Sequence, residues 1–175
     1  GKLKDLKFKK INETFKSPMK WKKEFKDSNL CPGVSGRYFK NIKNVESPIW
    51  LQKRLTAIGL RPISALVDIT NYVTFDLGRP LHVYDADKVS GNLMMRLATK
   101  NEECLLLNEV NYKCSDDMIV ISDDEKKLHG IGGVMGGLNS GCSMDTKNVF
   151  LEVALFDPIS VTKTGRKLNL QSDAR

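Results

Sequence analysis

The stretch from Arg61 to Asp85, RPISALVDITNYVTFDLGRPLHVYD, carries the tightest local constraints in the chain. After Pro62, Ser64 can serve as an N-cap, and Leu66, Ile69, Val73 and Leu77 recur at offsets of three and four. That spacing predicts a helix buried along one side. Gly78 can take the left-handed conformation that ends a helix, and Pro80 prevents the helix from resuming. The β-branched Val67, Ile69, Thr70, Val73 and Thr74 lean toward strand, but the punctuation outweighs them. The following residues alternate, with Leu81 and Val83 facing one way and His82 and Tyr84 the other, which predicts a short strand. His82, one of only two histidines, then lies just past the helix stop on the more polar side of that strand.

The rest of the chain adds punctuation of the same kind. Ser47-Pro48 predicts a helix with Ser47 as N-cap and Pro48 at its first position; Trp50, Leu51, Leu55 and Ile58 are its buried face, and Gly59 closes it. Cys31-Pro-Gly-Val-Ser-Gly is turn material, and RYFKNIKNV after it reads as a strand. NLMMRLA alternates, CLLLNEVNYKC runs through a hairpin turn, and MIVIS is a buried strand. A turn at Asp123-Asp124-Glu125-Lys126 leads to LHGI, and NVFLEVALF alternates again. Asp157-Pro158 opens a last helix reaching about Leu168. Helices early and late around a run of strands predict an α+β fold with largely antiparallel sheets and flanking helices, not a βαβ array.

A chain of 175 residues can bury one substantial core, or two small subdomains sharing one. We expect a lysine-rich lead-in or linker at 1–29, extended with at most one strand, and a compact module at 30–175 of one or two subdomains. Residues 1–27 hold ten lysines against Asp5, Glu13, Glu24 and Asp27, a surplus of six, while the remainder is nearly neutral. Such an arm suits a polyanionic partner, but a solvated, lysine-rich linker is the better reading of this segment alone. No apolar run is long enough to span a bilayer, and no signal peptide pattern opens the chain. Cys31, Cys104, Cys114 and Cys142 include no CxxC pair, so they read as reduced thiols of a cytoplasmic protein. His82 and His129 stand 47 positions apart, which is not the spacing of a zinc site, so no metal is expected.

Besides His82, whose commoner role is that of a core histidine satisfied by its neighbours, two features can carry chemistry. Glu152 lies in a strand apolar on both faces, where a carboxylate is costly unless hydrogen-bonded. Position alone leaves it as either a structural or a functional residue. GGVMGG, Gly132 to Gly137, has four glycines in six residues and permits close backbone approach to a ligand. It lacks both the Gly-Lys-Ser/Thr ending of a phosphate loop and the GxGxxG pattern, so a tight crossing between strands is the better reading. No serine or cysteine sits in a nucleophile-elbow context, so a covalent triad is not supported.

VDITNYV, LGRPLHVYD, GVMGG and LEVALF, in that order, resemble the beta subunit of bacterial phenylalanyl-tRNA synthetase. The matching part is its editing module, the subunit's third and fourth domains, and the likeness runs from about Cys31 to the last residue. The resemblance implies the editing-domain fold and hydrolysis of tyrosine wrongly attached to phenylalanine tRNA. An alternative keeps the fold as a non-catalytic tRNA-binding or assembly module. By resemblance, Glu152 meets the phenol hydroxyl of tyrosine, and Gly133 and Gly136 line the amino-acid pocket. His82 and Arg61 serve the ester end as the catalytic pair, and Asn71 lies at or just behind the pocket, a position that capping or buttressing the helix explains equally well. In the terminal QSDAR, Ser172 and Ala174 match a segment that contributes to the site, with serine where many relatives have threonine. The implied partners are phenylalanine tRNA and the synthetase alpha subunit in an α2β2 assembly. Editing needs no cofactor, while ATP and magnesium serve the complete synthetase elsewhere.

Overall fold

The computed structural model describes residues 4–5 and 7–172. From the amino end, Trp21–Glu24 form β1, Gly33–Phe39 β2, Ile49–Ala57 α1 and Ala65–Leu77 α2. His82–Asp85 follow as β3, Leu93–Leu97 as β4, Glu103–Leu105 as β5 and Asn111–Lys113 as β6. Ile119–Ser122 (β7), Leu128–Ile131 (β8), Met135–Gly136 (β9) and Val149–Leu155 (β10) precede α3 at Pro158–Lys167. One sheet runs β1-β4-β7-β8-β9, antiparallel except for the parallel β1–β4 pair. In a second sheet β10 lies between β2 and β3, antiparallel to both, and β5 and β6 form a hairpin. The class is the expected α+β with largely antiparallel sheets.

Two apolar clusters hold these layers together. One joins Leu93 and Met95 of β4 and Ile121 of β7 to Tyr84 of β3 and Phe150 of β10, so it glues sheet to sheet. The other gathers Leu106, Val120, Leu128, Ile131 and Val134 under Val161 of α3. Phe156, just beyond β10, packs against both. Burial of this kind, worth ~25 cal/mol per Å² of apolar surface, is the main force ordering the chain.

The strand readings held in kind and shifted in extent. The strand expected in RYFKNIKNV begins earlier, at Gly33, because Gly33 to Phe39 pair residue for residue with β10. It stops before Asn41, whose φ of 55° turns the chain away. In β4 the expected alternation is absent, since Leu93, Met94 and Met95 are all buried in a strand flanked by β1 and β7. The lead-in does supply one strand, β1, at the edge of the larger sheet.

The two early helices differ from expectation in what they bury. α2 spans the expected residues and ends at Gly78 with φ 63°. Its apolar stripe, however, is not its buried side: Ile69 and Leu77 are about half exposed, while Asp68 and Thr70 are buried. In α1, Leu51 and Leu55 are buried but Trp50 and Ile58 are not. Of the two expected serine caps, Ser47 is displaced and Ser64 holds its position without a side-chain capping bond. Pro48 occupies the N-cap position of α1, and the Ser47 hydroxyl donates to Oδ2 of Asp68. Ser64 sits at the N-cap of α2 but accepts from Nδ2 of Asn44, and Oδ1 of Asn44 takes the N–H of Leu66. The N–H of Ile63 donates to Oδ1 of Asp68 at 2.9 Å. A polar knot, not a hydrophobic stripe, therefore fixes where α2 starts.

Replacing Asp68 leaves the buried Ser47 hydroxyl and the Ile63 N–H without an acceptor. Asp68→Ala should cost about 3 kcal/mol, from a hydrogen bond to charge worth ~1.5–3 kcal/mol plus an unsatisfied donor. Urea denaturation reads this as a lowered midpoint with an unchanged slope; a shift below ~0.5 kcal/mol would mean the knot contributes nothing.

Candidate functional site

Strand β10 is central in its sheet, so both of its neighbours decide what stands beside Glu152. The register sets Glu152 opposite His82 on β3 and Gly36 on β2, and Phe150 opposite Tyr84. Directly paired residues and those two positions along share a face. His82, Tyr84, Phe150 and Glu152 therefore project together, toward the space between the two sheets. There a cavity of about 260 Å³ opens, with His82, Tyr84 and Glu152 on one wall and the glycine loop from Gly130 to Gly136 on another. Phe156 and the first turns of α3, through Val161 and Thr162, close a third side, and Arg79 and Pro80 complete the lining. The volume lies just under the ~300–1,000 Å³ of drug-sized sites and suits one amino-acid side chain.

Two glycines shape the loop wall. Gly133 has φ 70°, and a Cβ there would lie 2.6 Å from Cγ2 of Val161, so the loop is pressed against α3. At Gly136 a Cβ would fall 2.1 Å from Cε1 of His82, so the imidazole lies flush on the backbone. Gly136 thus admits the His82 ring as well as leaving space in the cavity.

Electrostatics differ among the three polar groups. Glu152 is 6% exposed, and burial raises its carboxyl to about 7; the hydroxyl of Tyr84, donating to Oε2, pulls in the opposite direction. Burial and then the neighbouring Glu152 push the Tyr84 phenol well above its ordinary 10, so it stays a donor. His82 is half-buried by area, yet burial alone lowers its pKa to about 4, and the ring is neutral at pH 7. Its Nε2 has no hydrogen-bond partner among the described residues, and its ring meets that of Tyr84 edge-on at 4.4 Å. A neutral imidazole has one donor and one acceptor nitrogen, so this site can hold a water or a hydroxyl. Among the described residues the cavity lining includes neither serine nor cysteine, and Thr162 brings its one aliphatic hydroxyl.

Of the residues singled out in the sequence, Glu152, His82, Gly133 and Gly136 line this cavity together. Arg61 is exposed between α1 and α2, and Asn71 is half-buried on α2; neither is among the lining residues. The Ser172 hydroxyl donates to the carbonyl of Val134, tying the C-terminal segment to the glycine loop. Ala174 lies outside the described residues. Sequence reasoning passed over Tyr84, Arg79, Phe156 and Thr162. Tyr84 had a usable signal, its alternation with His82, but its partner on β10 could not be known without the register. His129 stands apart, fully buried with Nε2 at 3.0 Å from Oδ2 of Asp123. Among the described residues no group of three or more His, Cys, Asp or Glu could hold a metal ion. All four cysteines are free thiols.

The family model described as "B3/4 domain" matches residues 30–175. Over 175 residues the chain is 51% identical to the "Phenylalanine--tRNA ligase beta subunit" of Rhodopseudomonas palustris, covering 100% of this chain and 21% of that subunit. Over 146 residues it is 54% identical to the corresponding subunit of Brucella suis, covering 83% of this chain and 18% of that one. The chain thus spans about a fifth of the length of the curated relatives it matches. Among solved structures, an N-terminal fragment of the phenylalanyl-tRNA synthetase beta subunit from Pyrococcus horikoshii superposes with a TM-score of 0.61. That match covers 85% of this chain and 46% of the other at 14% identity, a likeness of fold alone.

The burial of Glu152 and His82 has opposite consequences for stability. The Glu152 carboxyl is raised from its ordinary 4.5 to about 7, so its contribution is complete below pH 4.5 and lost as pH rises toward 7. The His82 ring is lowered from 6.5 to about 4, so its contribution is complete above pH 6.5 and lost as pH falls toward 4. Between those limits the two slopes oppose one another and the protein masks both. Glu152→Gln removes one slope. The stability advantage of the protein over this variant should shrink by on the order of 3 kcal/mol between pH 4.5 and 7. Urea denaturation at stepped pH measures it, and a pH-independent difference would contradict a raised Glu152 carboxyl.

Proposed function

The chain belongs to the B3/4 domain family and is similar along its whole length to bacterial phenylalanine–tRNA ligase beta subunits. From that premise we propose that its cavity edits phenylalanine tRNA, hydrolysing the ester of wrongly attached tyrosine. The observation that carries this reading is the carboxylate of Glu152, the one carboxylate among the described lining residues of a largely apolar, side-chain-sized cavity. A pocket for phenylalanine discriminates poorly against an added hydroxyl. A pocket built to hydrogen-bond that hydroxyl can reject a ligand lacking it by ~10⁴ or more, because its own polar group is then left unpaired. Glu152 reads the phenol, and the glycine loop and Phe156 enclose the ring.

The hydrolytic part of the reading falls to His82. Aminoacyl esters are activated, so placing a water against the carbonyl accelerates hydrolysis without a covalent intermediate. The neutral imidazole has a shielded Nε2 at the cavity wall, without a partner among the described residues and suited to orient that water or a terminal ribose hydroxyl. Arg61, Asn71, Ser172 and Ala174 remain candidates for contacts with the tRNA end rather than with the amino-acid side chain. Within a complete synthetase the partners are phenylalanine tRNA and the alpha subunit, in the cytoplasm. No cofactor is assigned to the editing step. No helix among the described residues is long and apolar enough to cross a membrane.

Deacylation of tyrosyl- and phenylalanyl-esters of phenylalanine tRNA tests the reading, on this chain and on the complete enzyme. Glu152→Ala should reduce the preference for tyrosine by about one to two decades, the worth of a hydrogen bond to a charged group. His82→Ala should slow tyrosyl hydrolysis by ~10²-fold or more, the lower end for a positioned proton-transfer group, in folded protein. An unchanged tyrosine-to-phenylalanine ratio in folded Glu152→Ala would remove that residue from recognition. Tight binding of tRNA with no deacylation would instead favour a non-catalytic binding module.

A further inference from the structure

Glu152 does not stand alone in its cavity. Tyr84 is 1% exposed, and its hydroxyl donates to Oε2 of Glu152. The other oxygen, Oε1, receives no hydrogen bond from the described residues, although Glu152 lines the cavity. The two carboxyl oxygens therefore differ in what they can do: one is held by a phenol of the protein itself, the other is open to a ligand. We propose that Tyr84 is a positioning residue for ligand recognition, its hydroxyl fixing the Glu152 carboxyl so that Oε1 meets the phenol of a tyrosyl ligand. The proposal rests on the reading that Glu152 contacts such a ligand.

Geometry and charge both follow from that single donor. The Tyr84 ring is locked by packing in the sheet-to-sheet core and against Trp21 and His82. A donor anchored in this way selects one rotamer of the carboxyl, which in an apolar wall has little else to orient it. The hydrogen bond also favours the ionised carboxyl against the opposing effect of burial. Ionisation matters because a carboxylate accepts from two phenols at once, whereas a protonated carboxyl is a weaker acceptor. The groups around it leave Tyr84 in control. His82 on β3 is held neutral, the thiols of Cys31 before β2 and Cys104 near Tyr84 are raised by burial, and Tyr38 on β2 is raised as well. Among the described residues Arg79 is the one cation lining the cavity, and it is exposed to solvent.

Tyr84→Phe removes the oxygen and keeps the ring, and two measurements read the result. The first is the titration midpoint of the Glu152 carboxyl carbon by NMR, which needs no activity. It should rise by about one unit or more, because a hydrogen bond favouring the charged form has been lost. The second is the ratio of tyrosyl to phenylalanyl deacylation across pH. At neutral pH the ratio should fall by about tenfold, through kcat/KM for the tyrosyl ester, and its rise with pH should move upward together with the NMR midpoint. An unmoved midpoint, or an unmoved ratio in the folded variant, overturns the role of Tyr84. Glu152→Ala measured alongside separates the two ideas. If it leaves the ratio intact, the reading of Glu152 itself fails, and the proposal fails with it. If it collapses the ratio while Tyr84→Phe does not, only the role of Tyr84 fails.

Discussion

The cost of placing a carboxyl on the buried face of a central strand organises the functional half of this molecule. An ionised side chain in an apolar wall is stabilised only by donors that reach it, and among the described residues Glu152 has one, the phenol of Tyr84. That phenol must in turn be buried without losing its own partner. The pair is mutually satisfying, and it joins two strands whose other residues are mostly apolar. The carboxyl titrates near neutrality as a direct result, so the same group that strains the fold is chemically responsive at working pH.

Around that pair, packing turns a strand pairing into a cavity. The Tyr84 and Phe150 rings meet β4 and β7 of the larger sheet and set the spacing between the layers. The glycine loop then crosses in front of them with no side chain at Gly133 or Gly136, and His82 and Val161 take up the space that Cβ atoms there would need. Cavity, ring placement and loop conformation are three views of one close approach. Each wall comes from a different part of the chain: β3, the loop around β9, β10 and α3.

The helical pair shows where a periodic pattern misleads. Leu66, Ile69, Val73 and Leu77 lie along one stripe of α2, but hydrophobic spacing says only that a side is apolar, not that anything covers it. Asn44, Ser47, Ser64 and Asp68 anchor the other side by hydrogen bonds, and Trp50, Ile58, Ile69 and Phe75 remain exposed. A buried aspartate with two donors outweighed the stripe in deciding how the helix is turned.

What the sequence determined by itself was the succession of elements: where α2 stops at Gly78, the hairpin of β5 and β6, the cap at Asp157, and the α+β class. Those are local properties, set by backbone freedom and short-range periodicity. It also marked Glu152, His82 and the glycine run as unusual, because a carboxylate in an apolar strand and four glycines in six residues are improbable without a reason. Only the tertiary structure decided that these residues share one cavity, that Tyr84 is the donor to Glu152, and that Arg61 and Asn71 line none of it. Those facts depend on the register between β3 and β10, residues separated by some seventy positions, and no pattern within either strand specifies which residue it will face.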